Sequence, residues 1–219
     1  SLSLAEETGD RKRVADGYIG IATIYYDDSD NDSKTLEYLE KARVIYESLN
    51  NSEGLALVFG NLSAVYLDQE DFDKALLFNE KCLAIQEKRG DRYGSATSLH
   101  NRALILGMLG RFAEARADFD REIAIFQSIG DQEGLADAYN GMGDLGIRQK
   151  RYPEAIRMCG KALQIAREIG SPNLKETEAC KCLYTAHREL GNFKQALIFL
   201  EQYVHANDSL QQNETAQKL

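Results

Sequence analysis

Small residues recur about every 40 positions in this chain, in two registers. One register holds Ala22, Ser63, Ala103 and Gly143, and the other holds Thr35, Ala75, Ala115, Ala155 and Ala196. The apolar residues around both registers follow the spacing of amphipathic helices. Because a helix pair this short cannot bury both of its faces alone, it needs neighbouring copies of itself. The repeat therefore predicts a stacked array of helix pairs, without strands.

Residues at the helix ends keep the same period. Each inner turn is followed by an aromatic residue, which we expect to fill the wedge between helices: Phe72, Phe112, Tyr152 and Phe193. Each pair closes on a residue that tolerates the left-handed conformation at a helix end: Gly9, Asn50, Gly90, Gly130 and Gly170. Asp91, Asp131 and Ser171 come next and are expected to cap the following helix, with Pro172 in its first turn.

These landmarks divide the chain into repeats. We predict one array over residues 1–219, with helix pairs at 11–50, 51–90, 91–130, 131–171 and 172–211. Residues 1–10 read as the end of a preceding repeat, and 212–219 as an exit helix. Since the sequence starts inside a repeat, we expect it to belong to a longer protein.

Charge and apolar content restrict the partners. The chain has 26 basic and 35 acidic residues, a net charge of −9, which argues against nucleic acid and anionic membranes. No apolar run approaches the roughly 18 residues of a membrane span, and no signal peptide is recognised. The chain has four cysteines: Cys82 and Cys159 fall on packing faces of second helices, Cys180 occupies an apolar position of a first helix, and Cys182 follows two residues later and points in another direction. We interpret them as small buried thiols in a reducing, cytoplasmic compartment.

The sequence offers little for catalysis. Phosphate-loop, serine-hydrolase and zinc-protease motifs are missing, and His100, His187 and His205 lie in different repeats. We predict no catalytic residue, no metal site and no cofactor. The aspartates in the turn at 27–33 alternate as in a calcium loop, but Ser33 and Leu39 replace its glycine and glutamate. A solvated turn is the favoured interpretation.

The repeat resembles the tetratricopeptide repeat in its longer variety of about 40 residues, over nearly the whole chain. Arg102, Tyr184 and Thr35 depart from the usual pattern. The resemblance implies an all-α, right-handed solenoid of five antiparallel helix pairs. It also implies that the first helices line a concave groove, which binds peptides or a partner helix in this family. The ending of the chain resembles repeat regions of bacterial signalling proteins.

The resemblance implies which residue of each repeat faces the groove. The predicted partner-binding residues are Tyr26, Leu57, Asn61, Thr97, His100, Asn101, Leu104, Met108, Asp137, Asn140, Asp144, Arg148, Lys181 and Arg188. Three asparagines could each donate to and accept from a peptide backbone. The basic carboxylate clamp of chaperone-binding members is not matched, because Ile19, Thr23, Thr97 and Asn101 occupy its places.

The prediction is a protein- or peptide-binding scaffold that is not an enzyme. Its expected context is the sensory or interaction region of a larger bacterial regulatory protein, with no direct nucleic acid partner and no membrane span. A homodimer is compatible with the sequence. The alternatives are a structural spacer or self-association module, a small-molecule or metal sensor, and a eukaryotic adaptor similar to kinesin light chains.

Overall fold

The computed structural model describes residues 10–26, 32–170 and 174–217, which form ten helices and contain no strand. The helices are α1 Arg11–Tyr26, α2 Asp32–Ser48, α3 Ser52–Asp68, α4 Phe72–Arg89, α5 Arg92–Met108, α6 Phe112–Ile129, α7 Gln132–Arg148, α8 Tyr152–Ile169, α9 Leu174–Glu189 and α10 Phe193–Gln217. Residues 27–31 of the suggested calcium turn, together with Ser171, Pro172 and the remnant at 1–9, lie outside the described residues, whereas Asp32 and Ser33 belong to the first turn of α2.

Contacts divide the chain into two compact units, Ser1–Ile105 and Leu106–Leu219, and the division falls within α5. The prediction of one array over 1–219 therefore stays a prediction. Within each unit, consecutive helices pack as neighbours, with α1 on α2, α3 on α4, α7 on α8 and α9 on α10. No described helix is long and apolar enough to cross a membrane.

The small residues of both registers lie where the helices approach most closely. In the first unit Ala22 and Ala75 are buried, and buried Ser63 donates a hydrogen bond to the Ala75 carbonyl at 2.9 Å. In the second unit Gly146 approaches Ala155 so closely that an added Cβ would lie 3.2 Å from the Ala155 Cβ. Larger side chains at these places would separate the helices.

Helix ends follow the predicted chemistry. Asn50, Gly90 and Gly130 adopt positive φ angles of 50°, 71° and 75° at the ends of α2, α4 and α6. The carboxylates of Asp91 and Asp131 accept the backbone N–H groups three residues further on, at 2.9 and 3.1 Å. These turn and capping predictions are confirmed.

Two sequence predictions are wrong. Phe193 was expected to fill a wedge, yet 70% of it is exposed, because among the described residues no helix follows α10 to cover it. Four free thiols were also expected, yet Cys159 in α8 and Cys182 in α9 form a disulfide. Gly143 lies beside this bond, and a Cβ there would collide with the Cys159 Sγ. Cys82 and Cys180 are free and buried, as predicted.

Candidate functional site

Four of the predicted groove residues meet in one cavity of the first unit. Leu57 and Asn61 lie one turn apart on α3, and Thr97 and Asn101 lie one turn apart on α5. Together they line a cavity of about 440 Å³. The pairing follows from the repeat, since each residue on α5 stands 40 positions after its counterpart on α3.

The two asparagine amides of this cavity are available to a ligand. In the described part of the chain, neither Asn61 nor Asn101 uses its side chain in a hydrogen bond. Asn61 is half-buried and Asn101 is exposed, so both can reach the cavity while their stems stay fixed on helices. An amide offers two donors and one acceptor group, which matches the peptide backbone.

A second group of polar residues forms the wall beneath these amides. The Ser98 hydroxyl donates to Gln86 Oε1 at 2.6 Å and lies 3.4 Å from the Cys82 sulfur. Burial raises the pKa of the Cys82 thiol, which therefore stays protonated. At the other end Arg89 pairs with Glu53 at 3.4 Å. The cavity therefore combines polar and apolar lining, with Arg89 and Glu53 paired and the Asp91 carboxylate used as a helix cap.

Sequence reasoning missed this wall. Gln86 occupies the place that Tyr46 holds in the first repeat and Phe126 in the third, so a polar residue stands where other repeats carry an aromatic ring. This departure from the repeat is the sequence feature that could have indicated the polar wall. Ser98, the hydrogen-bond partner of Gln86, is buried, and no sequence feature of its own indicates that role.

Asn61 also lines a neighbouring cavity of about 290 Å³ with Tyr26. The Tyr26 hydroxyl donates to the Asp68 carboxylate, which links the end of α1 to the end of α3. The hydroxyl is therefore occupied, and the half-buried ring is what Tyr26 presents to this cavity.

In the second unit Asp144, Arg148 and Lys181 line a cavity of about 450 Å³ between α7 and α9. Partial burial raises the pKa of Asp144, while the charges of Arg148 and Lys181 act in the opposite direction. This cavity carries both signs of charge.

The third predicted asparagine has a different position. Only 5% of Asn140 is exposed, and its Nδ2 donates to the Lys175 carbonyl at 3.1 Å. Nearby, Asp137 pairs with the Lys175 ammonium at 3.1 Å. Both residues connect α7 to the first turn of α9. Burial, followed by repulsion from Asp137, raises the pKa of Glu178 beside them.

The remaining predicted residues do not line these cavities. His100 and Leu104 are half-buried on α5, and Met108 is exposed at its end. Arg188 pairs with Glu189 at 2.8 Å and lies over the Tyr184 ring, 5.4 Å from its centre. Whether any of the predicted residues contacts a partner stays a prediction.

Repeated antiparallel helix pairs, with polar cavities between successive first helices, define an α-helical repeat protein of the scaffold class. The family model of the tetratricopeptide repeat matches residues 13–88, 94–168 and 135–206. The chain therefore belongs to the tetratricopeptide repeat family, as its sequence predicted.

Solved structures share the fold. A putative kinesin light chain of Podospora anserina with nearly identical repeats has a TM-score of 0.75 at 18% identity, covering 92% of this chain and 98% of that one. A signal-transduction ATPase from Pyrococcus horikoshii with a tetratricopeptide repeat sensor has a TM-score of 0.81 at 19% identity, covering 95% of this chain and 32% of that one.

A Rap protein complexed with competence and sporulation factor has a TM-score of 0.74 at 14% identity, covering 86% of this chain and 52% of that one. These likenesses confirm the predicted fold class, an all-α solenoid of the tetratricopeptide type. A search of curated proteins finds no match.

Proposed function

We propose that this chain binds an extended peptide segment of a partner protein in the cavity between α3 and α5. The observation that carries the proposal is the pair of unengaged amides, Asn61 and Asn101, at equivalent places of successive repeats. The chain acts by binding and not by catalysis, as scaffolds of this family generally do.

Both amides line one cavity, so a single extended peptide can pass both of them. An extended chain rises about 3.3 Å per residue, so a few residues of peptide cover the roughly 8–10 Å that generally separates neighbouring helices. Leu57 is 52% exposed beside the two amides and supplies an apolar contact for a peptide side chain. Because the chain carries a net charge of −9, neutral or basic peptides are favoured.

We place the module in the sensory or interaction region of a larger bacterial regulatory protein. Support comes from the fold of the Pyrococcus ATPase, in which a tetratricopeptide repeat sensor forms part of a longer chain. The Rap protein, solved with competence and sporulation factor, also shares this fold. Asp144, Arg148 and Lys181, which line the cavity of the second unit, form a second contact region in this proposal.

We also propose a cytoplasmic location. The buried thiols of Cys82 and Cys180 fit a reducing compartment, whereas the Cys159–Cys182 disulfide counts against it. Alkylation of the protein in acid-quenched cells, followed by mass spectrometry, decides between them. Cys159 and Cys182 found alkylated in most molecules would support the cytoplasm.

The proposed site is tested with peptides selected from a random phage-displayed library on the purified chain. We expect Asn61→Ala together with Asn101→Ala to weaken binding about 10-fold or more, since each lost hydrogen bond contributes about 1 kcal/mol. The matched control is Gln127→Ala, which removes an exposed amide on α6. If the selection enriches no peptide, or the double variant binds as the native chain does, the proposal fails.

A further inference from the structure

The last helix carries an apolar stripe that described residues cover only in part: Leu200 is half-buried and the other three residues are exposed. Phe193, Leu197, Leu200 and Val204 follow one another at intervals of four, three and four residues. At about 100° per residue, they fall within roughly 60° of one another around the helix. Leu197 is 57% and Val204 47% exposed. We call these four residues the α10 stripe.

Another face of α10 already has its partner. Ala206 is buried, and the Phe199 ring stacks on His187 of α9 with centroids 5.5 Å apart, while Ala196 at the edge of the stripe is buried too. The α10 stripe therefore lies on a separate face and does not hold its own helix pair together.

In earlier second helices the same register positions are at least half-buried. Leu76 corresponds to Leu197, Cys159 to Leu200, and Leu83 to Val204, and all three are buried, whereas Arg116 and Ile156 at the Leu197 position are half-buried. For α8, the covering element is the next first helix, α9, which packs against it. Among the described residues α10 has no such neighbour, so it exposes a surface that the repeat normally buries.

The spacing of the stripe is that of a short coiled-coil seam, with Phe193 and Leu200 at d positions and Leu197 and Val204 at a positions. When two such helices pack antiparallel, a positions of one meet d positions of the other. Phe193 of one copy then meets Val204 of the other, and Leu197 meets Leu200. The stripe is therefore complementary to itself under a two-fold rotation.

The flanking charges distinguish the two possible directions. Lys194 and Glu201 are both exposed and lie at equivalent heptad positions, seven residues apart. In an antiparallel pair, Lys194 of each copy faces Glu201 of the other. In a parallel pair Glu201 faces Ala196, and the position that would face Lys194 lies before the start of α10, so neither charge gains an opposite partner within the helix.

We propose that the α10 stripe binds a second copy of this chain, as an antiparallel two-helix contact. The contact uses one helix face of each copy, so the buried area is small. For an interface of this size we expect a dissociation constant in the micromolar range. It is independent of the peptide cavity, which lies in the other compact unit.

Sedimentation equilibrium of the complete chain from about 1 to about 200 µM tests the proposal. We expect the mean mass to rise from the monomer value of 24.5 kDa toward twice that value. Leu197→Glu should raise the dimer dissociation constant at least about 10-fold. Val44→Glu, which places the same charge at an equally exposed apolar site on α2, should leave it unchanged. Circular dichroism of both variants reports that they fold.

Charge exchange tests the direction. Lys194→Glu and Glu201→Lys should each weaken the dimer, and the chain carrying both should recover it, because the facing pairs are restored. Asn61→Ala with Asn101→Ala should not change the dimer, which separates this result from that of the peptide site. The proposal is overturned if the native chain stays monomeric at every concentration. The partner of the stripe would then be a helix from elsewhere. A dimer that Leu197→Glu does not weaken also overturns the proposal.

Discussion

The Phe126 ring at the end of α6 lies directly against Gly134 in the first turn of α7. A Cβ on Gly134 would lie 2.5 Å from two ring carbons, well inside van der Waals contact. The same relation joins Tyr46 and Gly54 in the first unit, where an added Cβ would also collide with the ring. One glycine at the start of the next helix thus admits the large side chain that ends each of these pairs.

Gly134→Ala should destabilise the chain by about 1–3 kcal/mol, because the Phe126 ring is packed at a helix end and can move aside only by disturbing its neighbours. Gly94→Ala should cost less. Its added Cβ would lie 2.3 Å from an Asp91 carboxylate oxygen and 2.8 Å from the Gln86 side-chain nitrogen, and both of these side chains are flexible enough to shift. Urea unfolding followed by circular dichroism measures both.

The control for this pair is Gly160→Ala in α8, where an added Cβ meets nothing within 4 Å. There the change should stabilise by about 0.5–1 kcal/mol through helix propensity alone. Equal effects at Gly134 and Gly160 would show that the contact with Phe126 does not matter.

Much of the fold could be predicted from the sequence because its signals are periodic. Ala22, Ala75 and Gly130 each belong to a register that recurs about every 40 residues. Each stands where the structure requires a small side chain or a positive φ angle. Two inner-turn residues, Glu70 and Lys150, also adopt φ 58°, and their residue types do not predict a positive φ angle. There the packing of the helix pair imposes the conformation.

The site was harder to predict because residue type alone does not fix the direction in which a side chain leaves its helix. Asn61 lies two residues before Ser63, whereas Asn140 lies three residues before Gly143, which turns its side chain by about 100° around the helix. Asn61 is therefore unengaged, and Asn140 is buried against the Lys175 carbonyl. The Cys159–Cys182 bond was not predicted because the spacing of the cysteines in the sequence does not show which residues of α8 and α9 face each other.

Removing the cap of α7 should have a measurable cost. The Asp131 carboxylate accepts the Gly134 backbone N–H at 3.1 Å, so Asp131→Ala should lower the unfolding free energy by about 0.5–2 kcal/mol. Arg151 stands at the equivalent place before α8 and forms no side-chain cap bond. Arg151→Ala should therefore change the free energy by less than about 0.5 kcal/mol. A similar loss in both variants would contradict the role of the cap.

A thiol count distinguishes the four cysteines. Burial raises the pKa of Cys82 and raises that of Cys180 to about 11, so neither should react with Ellman's reagent at pH 8 in the folded chain. Two thiols should react in guanidinium, and four after reduction in guanidinium. Four reactive thiols in guanidinium without reductant would show that the Cys159–Cys182 bond is absent.

Reduction of that bond should lower stability. It closes a loop across a sequence separation of 23, for which chain entropy predicts a loss of about 3 kcal/mol. Thermal unfolding with and without dithiothreitol measures the difference. The control is Cys182→Ser, in which dithiothreitol should have no further effect. An unchanged melting temperature in the native chain would contradict the prediction.

Two glutamates should respond to pH with opposite signs. Burial, followed by repulsion from Asp137, raises the pKa of Glu178, whereas the hydrogen bond from Arg43 lowers that of Glu40. A raised pKa means that folding is favoured while the group is protonated and loses that contribution as pH rises through the folded pKa. Glu178→Gln should therefore stabilise the chain at pH 7 by about 0.5 kcal/mol, with no gain below its ordinary value of 4.5.

Glu40→Gln is the matched control on an exposed helix face. The lowered pKa of Glu40 contributes stability above 4.5 that disappears as pH falls, so this variant should be less stable at pH 7 and equal to the native chain at low pH. Urea unfolding of the three proteins between about pH 3.5 and 8 measures both curves. If Glu178→Gln and Glu40→Gln change the free energy of unfolding in the same direction at pH 7, the buried environment of Glu178 on α9 and the Arg43 contact of Glu40 on α2 are wrong.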